Sequence, residues 1–257
     1  MGNRASGGAH TSRTMLLADL STVLAACPAN SSHEDYRTAI IDSNVAGKDT
    51  LSSRQRTFRY LREMYLLDPE DASFRAMLRL WHRDALGQPM IALLMASSHD
   101  YALAATSSGV LSLKAGEIAT SVILATAVDR EFPGNYSDSI RDKIGRNSLS
   151  SWTQAGYLKR TGRGPAIRQS VDPTAGATAM ALALGFVDGV SGELLFTTTH
   201  AALLDASVAT LHDRAHEAAR KGWLNYRSSG MVTEVELDAL LAEPEDQRLP
   251  LAEGVST

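Results

Sequence analysis

YSDSIRDKIGRNSLSSWTQAGYLKRTGRGPAIRQ, residues 136–169, reads as two short helices followed by a basic hairpin. Ser137 suits the cap of a first helix, in which Ile140 and Ile144 lie one turn apart on the same face. Arg146-Asn147-Ser148 supplies a break, and Ser148 suits the cap of a second helix that buries Leu149 and Trp152 and stops at Gly156. Tyr157 and Leu158 then start a strand, Thr161-Gly162-Arg163-Gly164 turns, and Ala166–Arg168 returns. The order is that of a winged helix-turn-helix. Trp152 is expected to be its core anchor, where the second helix meets the hairpin.

The same stretch concentrates positive charge. Between Arg141 and Arg168 the cations are Arg141, Lys143, Arg146, Lys159, Arg160, Arg163 and Arg168, with Asp142 as the single acid, a local charge of +6 in a chain whose total is −4. Segregation of that kind points to a polyanion docking at one place, although a charge run also serves as a plain solvated face. Glycines beside the arginines favour phosphate contact, because they let the backbone approach closely. Ser150, Ser151, Thr153 and Gln154 are expected on the exposed side of the second helix, with neutral groups suited to base edges or phosphates. The expected nucleic-acid contacts are therefore Arg141, Lys143, Arg146, Ser150, Thr153, Gln154, Lys159, Arg160, Arg163 and Arg168.

Working outward, the composition is 44% hydrophobic and 21% charged over 257 residues, enough to bury a substantial core. No apolar run is long enough to span a bilayer; the longest candidate, Ala175–Val187, is mostly alanine and glycine and suits tight helix packing. The first residues carry no apolar leader and read as a disordered tail over 1–13. Cys27 is the only cysteine, which excludes an internal disulfide and a cysteine zinc site and fits a cytoplasmic location.

Leucine-rich helical patterns fill 14–132 as a bundle: Met15–Ala26, Glu34–Ser43, Arg54–Leu67 behind a Ser52/Gln55 capping box, Phe74–Arg83, Met90–Ser97, Tyr101–Val110 and Gly116–Arg130. Phe132-Pro133-Gly134-Asn135 is the expected boundary before a winged-helix-like region over 133–242 with two hairpins. In that region Ala175–Val187 and Val208–Lys221 read as helices, and Leu194–Leu204 fits either strand or helix. Alternation on both sides of Ser229-Gly230 predicts the second hairpin, whose acidic Glu234 and Glu236 would repel phosphates. Residues 243–257 read as an acidic disordered tail.

Catalytic signatures are missing. There is no phosphate loop, dinucleotide fingerprint, HExxH or GxSxG; Gly47-Lys48 lacks a preceding strand and reads as a helix connection. His212 and His216 stand i, i+4 on one helix, but spacing implies no third ligand. The expectation is a protein without metal, cofactor or enzymatic activity.

Several segments together resemble the BrxA family, a component of the BREX bacteriophage-exclusion systems of bacteria. They are Tyr36-Arg37, Asn44-Val45-Ala46-Gly47-Lys48, Ser52-Ser53-Arg54, Lys143-Ile144-Gly145-Arg146, Ser151-Trp152-Thr153-Gln154-Ala155-Gly156-Tyr157-Leu158, Gly222-Trp223-Leu224 and Tyr226-Arg227, spread over residues 14–240. The resemblance implies a mainly α, non-enzymatic DNA-binding protein. Its N-terminal bundle would be similar to the transcription antitermination factor NusB, with winged-helix-like parts after it. The implied partners are double-stranded DNA and other BREX subunits. Two alternatives stay open: RNA binding through a bundle face bearing Arg54, Arg56, Arg59 and Arg62, and a scaffold that binds protein alone through the acidic hairpin.

Overall fold

Helix-capping chemistry sets out the first third of the chain, in a computed structural model that describes residues 8–229 and 232–243. A short 3-10 turn at Ala9–Thr11 precedes α1 (Leu17–Ala26), α2 (His33–Ile41), α3 (Leu51–Tyr65), α4 (Ala72–Trp81) and α5 (Gln88–His99). Ser32 and Asp35 form a reciprocal capping box at α2, and the Asp71 side chain accepts the Phe74 N–H at α4. A cap of this kind stabilises a helix by roughly 1 kcal/mol. The Ser52/Gln55 box expected for α3 is replaced by Thr50, whose hydroxyl accepts the Ser53 N–H and starts the helix earlier. Gly47-Lys48 is a connection: the Asn44 side chain accepts the Lys48 N–H, and the Lys48 ammonium meets Asp19 at 2.7 Å. Met90–Ser97 is buried all round, as its unbroken apolar composition predicts.

The middle of the chain departs further from the sequence reading. Two short helices, α6 (Tyr101–Ala105) and α7 (Ser107–Leu111), replace one continuous helix, with Thr106 between them. The segment from Gly116, read as helix, begins instead with strand β1 (Ile118–Ala119), and Thr120 then caps α8 (Ser121–Glu131). Residues 138–154 are a single helix, α9 (Asp138–Gln154), not two. The predicted Arg146-Asn147-Ser148 break does not form, and the helix runs through it. A Cβ on Gly145 would lie 2.2 Å from the Ser121 carbonyl oxygen, so this glycine marks a close crossing of α9 over the start of α8. Asn147 donates its side-chain amide to the His10 carbonyl, and Ser148 is fully buried in mid-helix. The actual turn between packed helices is the stretch 132–137, joining α8 to α9, where a domain boundary was expected.

After α9 come β2 (Leu158–Arg160) and β3 (Ala166–Arg168), which with β1 make an antiparallel sheet in the order β1-β3-β2. Its register pairs Ile118 and Lys159 on either side of Ile167. The chain continues with α10 (Ala175–Val187), a 3-10 stretch Gly192–Thr197, α11 (Thr199–Leu203), α12 (Val208–Arg220), the hairpin β4 (Asn225–Ser229) and β5 (Val232–Glu236), and α13 (Asp238–Leu241). Leu194–Leu204 is thus helical throughout its ordered turns. Residues Ala175–Gly185 of α10 are all buried, packed against α4, α5 and α12. Small side chains permit this. At Gly176 a Cβ would meet the Asp84 carboxylate at 2.3 Å, while the same carboxylate accepts the Gly176 N–H and the Thr174 hydroxyl.

One cluster of buried apolar side chains runs from Ala9 to Leu240. Residues 8–13 therefore belong to the packed structure, contrary to the tail reading, because His10 and Ala9 are buried against the rest. The turn glycine of the second hairpin, Gly230, and the acidic tail beyond 243 lie outside the described residues. Among the described residues no helix is long and apolar enough to cross a membrane.

Candidate nucleic-acid interface

Which face of α9 is free follows from what covers the other two. On one side Ile144, Gly145, Ser148, Leu149 and Trp152 are buried towards α8 and the core. Trp152 is fully buried, its indole N–H donating to the Thr106 hydroxyl at 2.8 Å and its ring meeting Tyr157 edge-on at 4.9 Å. That makes it the anchor between helix and hairpin that the sequence implied. On a second side the N-terminal segment lies along positions 147, 151 and 154: Asn147 bonds the His10 carbonyl, Ser151 Oγ accepts the Met15 N–H at 2.9 Å, and Gln154 Oε1 accepts the Leu17 N–H at 3.1 Å. Those last two bonds flank Leu16, which is held left-handed at φ 52°, a conformation costing a non-glycine residue roughly 1–2 kcal/mol.

The uncovered face carries a stripe at helical spacing, with the acid Asp142 exposed beside it. Ser139, Lys143, Arg146 and Ser150 are exposed, and Thr153 is half-buried with its hydroxyl donated to the Leu149 carbonyl. Ser151, expected outward, is buried, and Gln154 has its carbonyl committed to the N-terminal segment.

The hairpin carries the second set. Leu158 and Ala166 point into the core, while Lys159, Arg160 and Arg163 are exposed. Gly162 takes φ 59° in the turn, and the Gly164 N–H donates to the Thr161 carbonyl. Among the described residues neither these three cations nor Lys143 and Arg146 form a salt bridge.

Two predicted contacts are corrected. Arg141 is clamped by Asp129 and Asp138, and the Asp129 hydrogen bond holds its guanidinium above its usual pKa. Arg168 is 2% exposed, bonded to the Tyr157 and Gln169 carbonyls and paired with Asp205. A guanidinium so buried braces the hairpin and lies out of reach of a phosphate. The free charge of the region is therefore carried by five of the seven cations. Two others join it: Arg56, which the sequence offered only on the alternative RNA-binding face, and Arg13, which it did not single out, line one recess together with Lys143 and Arg146.

A chemistry-bearing trio lies beneath α9. His10 Nδ1 is 2.8 Å from Asp100 Oδ2, and His10 Nε2 is 2.8 Å from Ser151 Oγ. Burial pushes the Asp100 carboxyl up, but hydrogen bonds from the His10 ring and amide and from the Leu103 N–H outweigh it and hold the group below its usual value. The order Asp-His-Ser is that of a nucleophilic triad, yet Ser151 is fully buried and its oxygen is already engaged by Met15 N–H and the Asn147 carbonyl. In this conformation the trio fastens the N-terminal segment to α9.

His212 and His216 do not converge on a metal position. His212 bonds the Tyr226 hydroxyl and Glu193 and stacks on Phe196 at 4.0 Å, and His216 sits edge-on to Tyr226. No group of three or more His, Cys, Asp or Glu side chains converges among the described residues. Comparison with family models, with curated proteins and with solved structures gives no match for this chain.

Proposed function

We propose that this chain binds duplex DNA through a winged helix-turn-helix in which α8 and α9 are the helix pair, α9 enters the major groove and the β2–β3 hairpin is the wing. The observation that carries the reading is the element order α7, β1, α8, α9, β2, β3 with sheet order β1-β3-β2, together with exposed cations on both α9 and the hairpin, Lys143, Arg146, Lys159, Arg160 and Arg163, that have no acid partner among the described residues. A small separate core of Ala102, Val128, Tyr136 and Ile144 ties α8 to α9 across their turn. On a B-form duplex, Ser139, Lys143, Arg146 and Ser150 face base edges and phosphates, and Lys159, Arg160 and Arg163 follow the backbone. The C-terminal hairpin stays off the nucleic acid, since Glu234 and Glu236 are exposed on it.

Membership of the BrxA family, and with it an accessory role in phage exclusion, is part of the same proposal. Several motif residues have structural roles here: Gly145 at the helix crossing, Trp152 and Tyr157 in the core, Lys48 on Asp19, Trp223 under the Lys221 ammonium. A resemblance carried by such positions is one of fold, and the proposed activity is contact without catalysis. Binding of the purified chain to duplex DNA, single-stranded DNA and RNA, each at two salt concentrations, tests it. Preferential duplex binding that weakens steeply with salt is expected; equal or stronger binding to RNA, or no binding, overturns it.

A further inference from the structure

We infer that the recess between the N-terminal segment, α3 and α9 is a phosphate-backbone site, so that the bundle and the winged region grip the nucleic acid together. The inference rests on the proposed function and extends it to residues more than eighty positions away from α9. The recess has a volume of about 420 Å³ and is lined by Arg13, Arg56, Lys143, Arg146, Tyr60 and Asn147 among others, and no carboxylate among the described residues lines it.

Four cations around one opening repel one another, and none of the four has an acid partner among the described residues. Their weak engagements leave donors free. Arg13 reaches the Ser12 carbonyl at 3.2 Å and lies 5.7 Å from the Tyr60 ring centroid, and Arg56 touches Ser53 Oγ at 3.4 Å. The neighbouring arginines of α3 differ: Arg54 is spent on the Lys48 and Ile41 carbonyls, and Arg59 pairs with Glu63 and Tyr60. Arg56 is thus the cation of α3 turned to this recess with its charge unspent. Guanidinium forks match pairs of phosphate oxygens, and a focused positive potential attracts an oxyanion.

A strand backbone fits better than a free nucleotide. Tyr60 is 8% exposed and already engaged by Arg13 and Arg59, so no open aromatic face awaits a base. Lys143 and Arg146 belong to both the recess and the α9 stripe, so a strand lying on α9 passes directly over Arg13 and Arg56.

The test is duplex binding by fluorescence anisotropy across a salt series, with melting as the fold control. An R13A/R56A protein should fold normally, bind roughly fifty-fold more weakly at 0.1 M salt and lose about 2 units of the log–log salt slope, as two lost phosphate contacts require. R13K/R56K should retain most of the slope. A slope and affinity equal to wild type in R13A/R56A, with both reduced in K159A/R160A/R163A, would overturn this site and leave the α9 and hairpin reading standing. Absence of duplex binding in the wild type would overturn both. A calorimetric titration with pyrophosphate separates the sources: saturable binding lost in R13A/R56A, with duplex binding unchanged, would assign the recess to a free phosphate ligand and overturn the backbone site.

Discussion

Nε2 of His10 stands 2.8 Å from Oγ of Ser151, a contact across 141 positions that pins the N-terminal segment to the last turn of α9. Through it the N-terminal segment covers one side of that helix, and the solvent face that remains carries the Ser139–Lys143–Arg146–Ser150 stripe beside the exposed Asp142. The same docking brings Arg13 beside Lys143. A segment whose composition reads as a loose tail thus defines the edge of the proposed interface.

The hairpin cations should act on binding and not on stability. Lys159, Arg160 and Arg163 are exposed and unpaired by acids among the described residues, so replacing all three with alanine should leave the melting temperature near wild type. Duplex affinity should fall on every sequence, and the salt slope by roughly 2–3 units. Anisotropy titrations at several salt concentrations read both quantities; an unchanged slope removes the hairpin from the interface.

Trp152→Ala should do the reverse. The side chain is fully buried, meets Tyr157 edge-on and satisfies Thr106, so its removal should cost about 3–5 kcal/mol in denaturant unfolding. Wild-type stability with selective loss of DNA binding would place the ring in the interface instead.

Arg168 on β3 and Arg160 on β2 separate bracing from binding within one hairpin. It is buried on Asp205 and two carbonyls, so Arg168→Ala should lower stability by about 1–3 kcal/mol through the lost packing and hydrogen bonds. Arg160→Ala, two registers away on the exposed edge, should change it by less than about 0.5 kcal/mol. Comparable denaturant midpoints for the two variants would return Arg168 to the contact surface.

Asp100 predicts an acid-sensitive anchor. Its folded pKa is held below the ordinary value of 3.8, so the ionised carboxylate contributes stability that is complete above that value and is lost as pH falls through the lower folded pKa. Denaturation curves at pH 6 and pH 3 should show a loss in the wild type that is smaller in Asp100→Asn, with the variant already weaker at pH 6. Equal pH dependence in both would show that the His10–Asp100 pair is not the group being titrated.

Local pattern alone determined much of this protein: the helices of the first third, the enclosed α5 and the small-residue α10, the burial of Trp152, both hairpins and the concentration of cations near α9. Those features are written in residues three or four apart, or alternating, and neighbours in sequence suffice to produce them. Tertiary structure decided the rest. Arg141 and Arg168 look as free as Lys143 and Arg160 in the sequence, but acids 12 and 37 positions away occupy them. Arg146-Asn147-Ser148 looks like a break, but Asn147 is tied to the His10 carbonyl and Ser148 is buried in mid-helix, so α9 runs through the expected turn. Arg13 and Arg56 join Lys143 and Arg146 because the fold brings three separate segments to one recess. Charge free for a ligand is what remains after distant partners have paired, and no local spacing encodes that remainder.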